Sequence, residues 1–168
     1  MPLDALVPDV LMVSASNRKI VYKNLIINRK IGEGGFADVF RGLYEECDVA
    51  IKILKLKNEE GESKEESLDA FSEFRREVWI MSSLQHPCLC GLVGFCIYPT
   101  CIVCEFVDRG DLYSFVHRSA DDEKYVEYGV LLRMRMALDI ALGMRYLHNL
   151  DPPIIHRYFS FFFFFLSL

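Results

Sequence analysis

The sequence predicts an α+β fold: a small antiparallel sheet with one helix, followed by the first helices of an incomplete second part. Runs rich in β-branched residues lie within residues 24–54 and again within residues 89–107. Between them, apolar residues recur at helical spacing over residues 68–81. The longest helical pattern comes last, over residues 130–149.

The composition favours one globular domain. The chain has 168 residues, and 52% of them are apolar, within the usual range of roughly 100 to 200 residues per domain. The net charge of −5 gives no general attraction for nucleic acid, which is therefore not an expected partner. Residues 1–16 lack the basic start and apolar stretch of a signal peptide, which predicts a cytoplasmic protein.

The six cysteines could form disulfides or a metal site. In a cytoplasmic protein we expect free thiols. Cys101-x-x-Cys104 has the spacing of a zinc half-site, but it lies in a strand-like run, where residues three apart point to opposite faces. Cys88-x-Cys90 has no second ligand pair at a suitable spacing. We therefore predict no metal site and interpret the cysteines as small buried apolar residues.

The first strands surround a glycine-rich turn. Residues 24–42 predict strand, turn and strand, and Val49–Leu54 predicts a third strand. Residues 55–66 are charged and contain glycine, which indicates a solvated loop. Ser63 and Glu66 have the spacing of a capping box, so a helix is expected to begin there.

One helix follows this loop and stops at Gln85-His86-Pro87. Two strand-like runs, over residues 89–98 and 100–107, come after it. The residues that recur at helical spacing are Leu68, Phe71, Arg75, Val78 and Met81.

Helical patterns occupy most of the remaining chain. Asp111 follows Gly110 and is placed to cap a short helix. The longest helix, over residues 130–149, has an apolar face, and we expect Asp139 to lie off that face with Arg133 and Arg145. The apolar face consists of Leu132, Met136, Ile140, Gly143 and Leu147.

The pattern Gly32-x-Gly34-x-x-Ala37 indicates a phosphate-binding turn, although dinucleotide-binding folds use the same spacing. In those folds the glycines lie at the start of a helix. Here the β-branched and aromatic run 39–44 follows, so we predict a strand on both sides of the turn. Glycines let backbone N–H groups approach phosphate oxygens. Taken alone, the loop could equally be an ordinary hairpin turn.

Lys52 lies in an apolar strand two residues after Ala50, so the two side chains share a face. A small residue beside a cation leaves room for the planar base of a nucleotide. Because an unpaired buried ammonium is costly, Lys52 requires an anion, and Glu77 on the following helix is placed to supply it. The alternative for Glu77 is a solvated helix charge near Arg75 and Arg76.

In combination, these motifs resemble the protein kinase family over residues 24–157. They are the glycine turn with Phe36 and Val39, then Val49-Ala-Ile-Lys52, then Glu77, and finally His156-Arg157 after two prolines. They look most like the tyrosine-kinase-like branch, and within it they resemble Roco and leucine-rich-repeat kinases. The segments that carry this finer resemblance are residues 31–36, 74–87, 105–113 and 138–143.

The resemblance implies that the bound nucleotide is ATP, with Mg²⁺ expected for the family. Lys52 would hold the α- and β-phosphates, and Glu77 would orient Lys52. The gatekeeper falls on Cys104 and the hinge on Glu105–Val107. The adenine contacts fall on Ile31, Val39 and Ala50, and the turn over the phosphates on Gly32, Gly34, Gly35 and Phe36.

The largest departure from the family pattern follows Arg157. Tyr158 stands where the family has its catalytic aspartate, and the Phe-rich residues 159–168 stand where the Mg²⁺ ligands are expected. We therefore expect this chain to lack its catalytic base and metal ligands and to be inactive in phosphate transfer. The Phe-rich tail is shorter than the roughly 20 residues of a membrane span, so none is expected.

The predicted organisation has four parts. Residues 1–23 are a linker or N-terminal extension, 24–107 the N-lobe with its hinge, 108–157 a partial C-lobe, and 158–168 an aberrant tail. The predicted function is an ATP-binding protein kinase of the serine/threonine type, active on protein hydroxyls in a full-length form. The alternative is a non-catalytic module, a pseudokinase or decoy that binds nucleotide or a partner. Expected partners are a protein substrate and a kinase or GTPase module.

Overall fold

The structure, a computed structural model, describes residues 16–35, 37–55, 64–108 and 130–155. They fall into two compact units, one up to Leu84 with Gly91–Phe106, the other Gln85–Cys90 with residues from Val107 onward. The first unit contains Leu25–Glu33 (β1), Ala37–Tyr44 (β2), Cys47–Leu54 (β3), Lys64–Ser83 (α1), Leu92–Cys96 (β4) and Cys101–Glu105 (β5). The second contains Val130–His148 (α2). The predicted α+β class is confirmed.

The five strands form one antiparallel sheet in the order β1-β2-β3-β5-β4. Strands β2 and β3 are joined by a two-residue turn at Glu45 and Glu46, whose φ angles are 49° and 66°. Positive φ at both central residues is the geometry of a type I′ hairpin turn, which matches the right-handed twist of the strands. Neither residue is of the type that such turns favour.

One face of the sheet carries an apolar cluster closed by the segment before β1. Two short 3₁₀ turns, Ser16–Arg18 and Tyr22–Asn24, flank Ile20, which is 6% exposed. The Ile20 N–H donates to the Phe95 carbonyl at 2.8 Å, and Lys19 forms a parallel bridge with Phe95. The cluster consists of Ile20, Leu25, Val49, Ile51, Cys96, Cys101 and Val103.

The helix α1 packs its apolar side chains within the same unit. Phe74, Val78 and Met81 are buried, and the Phe74 ring meets the Phe95 ring edge-on at 6.3 Å between centroids. Each fully buried side chain of this kind stabilises the fold by about 1.5 to 3 kcal/mol. Arg75, which the apolar spacing placed with this set, is half-buried, and Phe74 takes the deeper position.

In the second unit, α2 buries one charged residue among its apolar ones. The buried positions are Met136, Asp139, Gly143 and Leu147. The expectation that Asp139 lies off the apolar face is wrong, because its side chain is 3% exposed and pairs with Arg135 at 3.2 Å. One carboxylate oxygen of Asp139 has no hydrogen-bond partner among the described residues. Burial and this neighbouring carboxylate raise the pKa of the Cys88 thiol.

A second contact in this unit lies at the end of α2. The Tyr146 hydroxyl accepts a hydrogen bond from the Gln85 N–H at 3.2 Å, and its ring lies 4.9 Å from the His86 ring. The short helix predicted after Asp111 lies outside the described residues. Among the residues that are described, no helix is long and apolar enough to cross a bilayer.

Candidate nucleotide-binding site

The centre of the candidate site is an ion pair between the sheet and α1. Lys52 Nζ lies 2.8 Å from both carboxylate oxygens of Glu77. Glu77 can reach the lysine because it directly precedes the buried Val78, which fixes the helix against the sheet. The side chains of Lys52 and Glu77 are 27% and 28% exposed, so the pair is partly desolvated and still open on one side.

The register of the strands determines which side chains surround Lys52. Lys52 pairs with Val39 on β2 and with Ile102 on β5. Ala50 pairs with Cys104 on β5. Because directly paired residues point to the same face of a sheet, these side chains line one surface beside the ammonium group. An ammonium has three N–H donors, and the two Glu77 contacts use two of them.

The glycine turn connects β1 to β2 as a closed hairpin. Gly32 pairs with Val39, and Glu33 pairs with Asp38. The Gly34 N–H donates to the Ala37 carbonyl at 2.8 Å, and a Cβ on Gly34 would lie 3.2 Å from the same oxygen. The turn is therefore tight at Gly34, and a strand lies on each side of it.

Four charged side chains surround the base of this hairpin. Lys30 Nζ lies 2.8 Å from Glu33 and 3.0 Å from Asp38. Lys55 Nζ lies 2.9 Å from Asp38, 3.5 Å from Glu33, and 3.0 Å from the Gly34 carbonyl oxygen, to which it donates. These four residues, Lys30, Glu33, Asp38 and Lys55, are called the loop network below.

The loop network shifts the pKa of both of its carboxyl groups. The Lys55 ammonium group, 2.9 Å from Asp38 Oδ1, is the main cause that lowers the pKa of Asp38, and a hydrogen bond from Lys30 lowers the pKa of Glu33. The Glu33 carboxylate in turn raises the pKa of Lys30. The lowered pKa values favour the carboxylate forms of Asp38 and Glu33, and the raised pKa favours the ammonium form of Lys30.

The surface assigned to adenine lies farther along the same sheet face. Ala50 and Cys104 are buried, Val39 is half-buried and Ile31 is exposed. At the end of β5, the Glu105 carboxylate accepts a hydrogen bond from the Gly91 N–H at 3.0 Å. Val39, Ala50 and Cys104 thus present small and branched side chains on the sheet face that carries Lys52.

The segment after β5 is held by an arginine. The Arg41 guanidinium lies 4.5 Å from the centre of the Phe106 ring, a cation–π contact. The same guanidinium donates two hydrogen bonds of 2.9 Å to the Asp48 carboxylate. Val107, the last residue of the predicted hinge, is half-buried and belongs to the second unit.

A comparison with known families decides the assignment. A family profile described as protein tyrosine and serine/threonine kinase matches residues 25–160. The chain belongs to this kinase family. The resemblance predicted from the glycine turn, Lys52 and Glu77 is therefore confirmed, and members of the family use ATP with Mg²⁺ to phosphorylate proteins.

Several named kinases are similar to this kinase chain. The Dictyostelium discoideum protein named "Probable serine/threonine-protein kinase pats1" is 45% identical over 158 residues, which are 92% of this chain and 5% of that protein. The D. discoideum protein named "Probable serine/threonine-protein kinase roco5" is 36% identical, again over 92% of this chain and 5% of its own length. "Serine/threonine-protein kinase CTR1" of Arabidopsis thaliana is 39% identical, over 82% of this chain and 16% of its own length. The chain thus spans a small part of each relative.

Most of the predicted site residues of this kinase lie in the first unit, on or beside one sheet face. Phe36 and the segment with His156, Arg157 and Tyr158 lie outside the described residues. All six cysteines are free thiols. In the part of the chain that the structure describes, no group of three or more His, Cys, Asp or Glu side chains could hold a metal ion.

The sequence predicts a solvated loop at Lys55, whereas the structure places Lys55 in the loop network. The pairing of Ala37 with Leu54 brings the residue after β3 beside the start of β2, and so places Lys55 next to Asp38. No local signal in the sequence predicts this contact, because the partner of Lys55 depends on the register between two strands.

Proposed function

We propose that this chain supplies the nucleotide-binding lobe of a protein serine/threonine kinase domain. The observation that carries the proposal is the Lys52–Glu77 ion pair, which lies on the sheet face next to the glycine hairpin. Kinases of this family require a lysine on the third strand paired with a helix glutamate. The pair fixes the position of the Lys52 ammonium group, whose remaining N–H can meet the phosphates of ATP.

Each part of the surface then has a role in ATP binding. Lys52 contacts the α- and β-phosphates, and the turn formed by Gly32, Gly34 and Gly35 lies over the phosphates, where the absence of Cβ atoms allows a close approach. The adenine ring packs on Ile31, Val39 and Ala50, with Cys104 as the gatekeeper beside it. The backbone of Glu105–Val107 hydrogen-bonds the edge of the base.

Mg²⁺ would supply charge neutralisation on the transferred phosphate. The family's metal ligands are carboxylate and amide side chains that follow the catalytic loop. Residues 159–168 of this chain contain neither kind of side chain, so they do not fit a Mg²⁺ site. Nucleotide binding by the first unit is therefore proposed separately from phosphate transfer.

A second candidate function is nucleotide binding without transfer. Tyr158 favours it, because a neutral phenol with a pKa near 10 cannot replace a carboxylate that accepts the substrate proton. Incubating the chain with γ-labelled ATP, Mg²⁺ and casein tests the second candidate. ATP binding with no labelled casein supports it, and labelled casein in proportion to Lys52-dependent ATP binding contradicts it.

The binding test compares three variants by calorimetry with ATP and Mg²⁺. Lys52→Met should raise the Kd for ATP about 10- to 100-fold, since a hydrogen bond to a charged group contributes about 1.5 to 3 kcal/mol. Glu77→Gln should raise the Kd less, because it loosens the lysine without removing it. Lys23→Met, an exposed lysine before β1, is the control and should leave the Kd unchanged. Equal affinity of wild type and Lys52→Met would refute the proposal.

The location and further partners are part of the same proposal. Five of the six free cysteines are buried thiols, which supports a reducing, cytoplasmic environment. A protein carrying serine or threonine is the proposed substrate. The similarity to roco5 and the resemblance to Roco kinases support a GTPase module, or a second kinase, as the regulatory partner.

A further inference from the structure

The loop network holds the glycine hairpin from both sides. Lys30 contacts it from β1, and Lys55 contacts it from the end of β3. Asp38 is bound by both lysines, at 3.0 and 2.9 Å, and its side chain is 23% exposed, against 69% for Glu33. Asp38 is therefore the residue on which the two cations converge.

The network also reaches the backbone of the turn itself. Lys55 donates to the Gly34 carbonyl oxygen at 3.0 Å, while the Gly34 N–H is bonded to the Ala37 carbonyl. Both backbone groups of Gly34 are thus engaged, and glycine is the residue whose backbone has the most freedom to lose. A turn that is already ordered has less entropy to lose when a ligand binds.

We propose that Asp38 is a positioning residue that orders the glycine turn for the phosphates of ATP, through Lys30 and Lys55. The inference rests on the proposed function, since it concerns the same nucleotide site. Asp38 does not contact the nucleotide. It holds Lys55, and Lys55 holds the Gly34 carbonyl.

The direction in which Asp38→Asn changes the Kd for ATP distinguishes a positioning role from a simple charge effect. A carboxylate close to a triphosphate repels it, so by charge alone Asp38→Asn should bind ATP more tightly. If Asp38 orders the turn, Asp38→Asn should bind ATP more weakly. The two explanations predict opposite changes in Kd from the same variant.

The experiment measures Kd for ATP and for adenosine by calorimetry on the full chain. Asp38→Asn should raise the Kd for ATP about 2- to 10-fold, the range expected when one or two partly exposed ion pairs are lost. The Kd for adenosine, which has no phosphate, should change less than about twofold. Asp38→Glu keeps the charge and should recover most of the ATP affinity. High salt should narrow the gap between wild type and Asp38→Asn.

The matched control is Asp48→Asn, which removes the same charge and breaks the ion pair with Arg41 in the same sheet. It should leave the ratio of the two Kd values unchanged. Glu33→Gln is a second, more exposed test of the network and should weaken ATP binding to a smaller extent. It keeps the inference testable if Asp38→Asn does not fold.

Three outcomes overturn the inference in different ways. Wild type that fails to bind ATP, or that binds it equally well after Lys52→Met, overturns the proposed function and this inference with it. Lys52-dependent binding that stays equal or becomes tighter in Asp38→Asn and Glu33→Gln overturns the inference alone. An equal loss of ATP and adenosine affinity also overturns it, because that result indicates a general structural role.

Discussion

Replacing Gly94 by alanine is expected to detach the segment before β1 from the sheet. A Cβ on Gly94 would lie 2.5 Å from Ile20 Cδ1 and would also collide with the Arg18 carbonyl oxygen. The backbone oxygen cannot rotate away, so the whole segment must shift. Ile20 would then leave the apolar cluster, and its N–H would lose the Phe95 carbonyl.

The magnitude follows from these two losses. Burying an isoleucine side chain contributes about 1.5 to 3 kcal/mol, and a backbone hydrogen bond contributes about 0.5 to 1.5 kcal/mol. Gly94→Ala should therefore lower the free energy of unfolding by about 2 to 4 kcal/mol. Ile20→Ala removes part of the same contact and should lower it by a smaller amount.

Urea denaturation followed by the fluorescence of Trp79 measures this change. Trp79 is the only tryptophan of the chain and lies on α1, so its signal reports on the first unit. The control is Gly94→Ala in the Ile20→Ala background, where the colliding Cδ1 atom is absent and the further loss of stability should be smaller. An equal loss of stability in both backgrounds would show that the collision with Ile20 is not the cause.

Two more predictions concern the hairpins of the sheet. Glu46→Gly should raise the urea midpoint, with a gain of about 0.5 to 1 kcal/mol, because glycine accepts the φ of 66° without strain; a lower midpoint would contradict the turn geometry. The midpoint difference between wild type and Asp38→Asn should depend on pH. The pKa of Asp38 is lowered on folding, so its contribution is present above the ordinary carboxyl range and disappears as pH falls through the lowered pKa. A difference in urea midpoint that already vanishes at about pH 6 would refute the pairing of Asp38 with Lys30 and Lys55.

The parts of the fold that could be predicted are those with a local cause. The strands and α1 follow from apolar spacing, which needs no knowledge of neighbours. The Lys52–Glu77 pair follows from one physical requirement, since a lysine in an apolar strand needs an anion and the next helix offers one. The family resemblance rests on the same few residues, and the family match to residues 25–160 confirms it.

The parts that could not be predicted depend on contacts between distant residues. Lys55 lies in a charged run, where a solvated charge is the simplest interpretation, and its role appears only with the register of β2 against β3. Asp139 was placed on a polar face because its charge suggested solvent, and its burial beside Arg135 is a tertiary effect. The turn at Glu45 and Glu46 contains none of the glycine or asparagine residues that announce such turns.

The parallel bridge between Lys19 and Phe95 also protects the sheet from self-association. Strand β4 is the last strand in the sheet order, so its outer edge would present unpaired N–H and C=O groups to another chain. The bridge and the Ile20 hydrogen bond occupy that edge at Phe95. A kinase lobe that begins at Val21 would have an open apolar edge at β4. Edge-to-edge pairing of two such lobes is the expected route to aggregation.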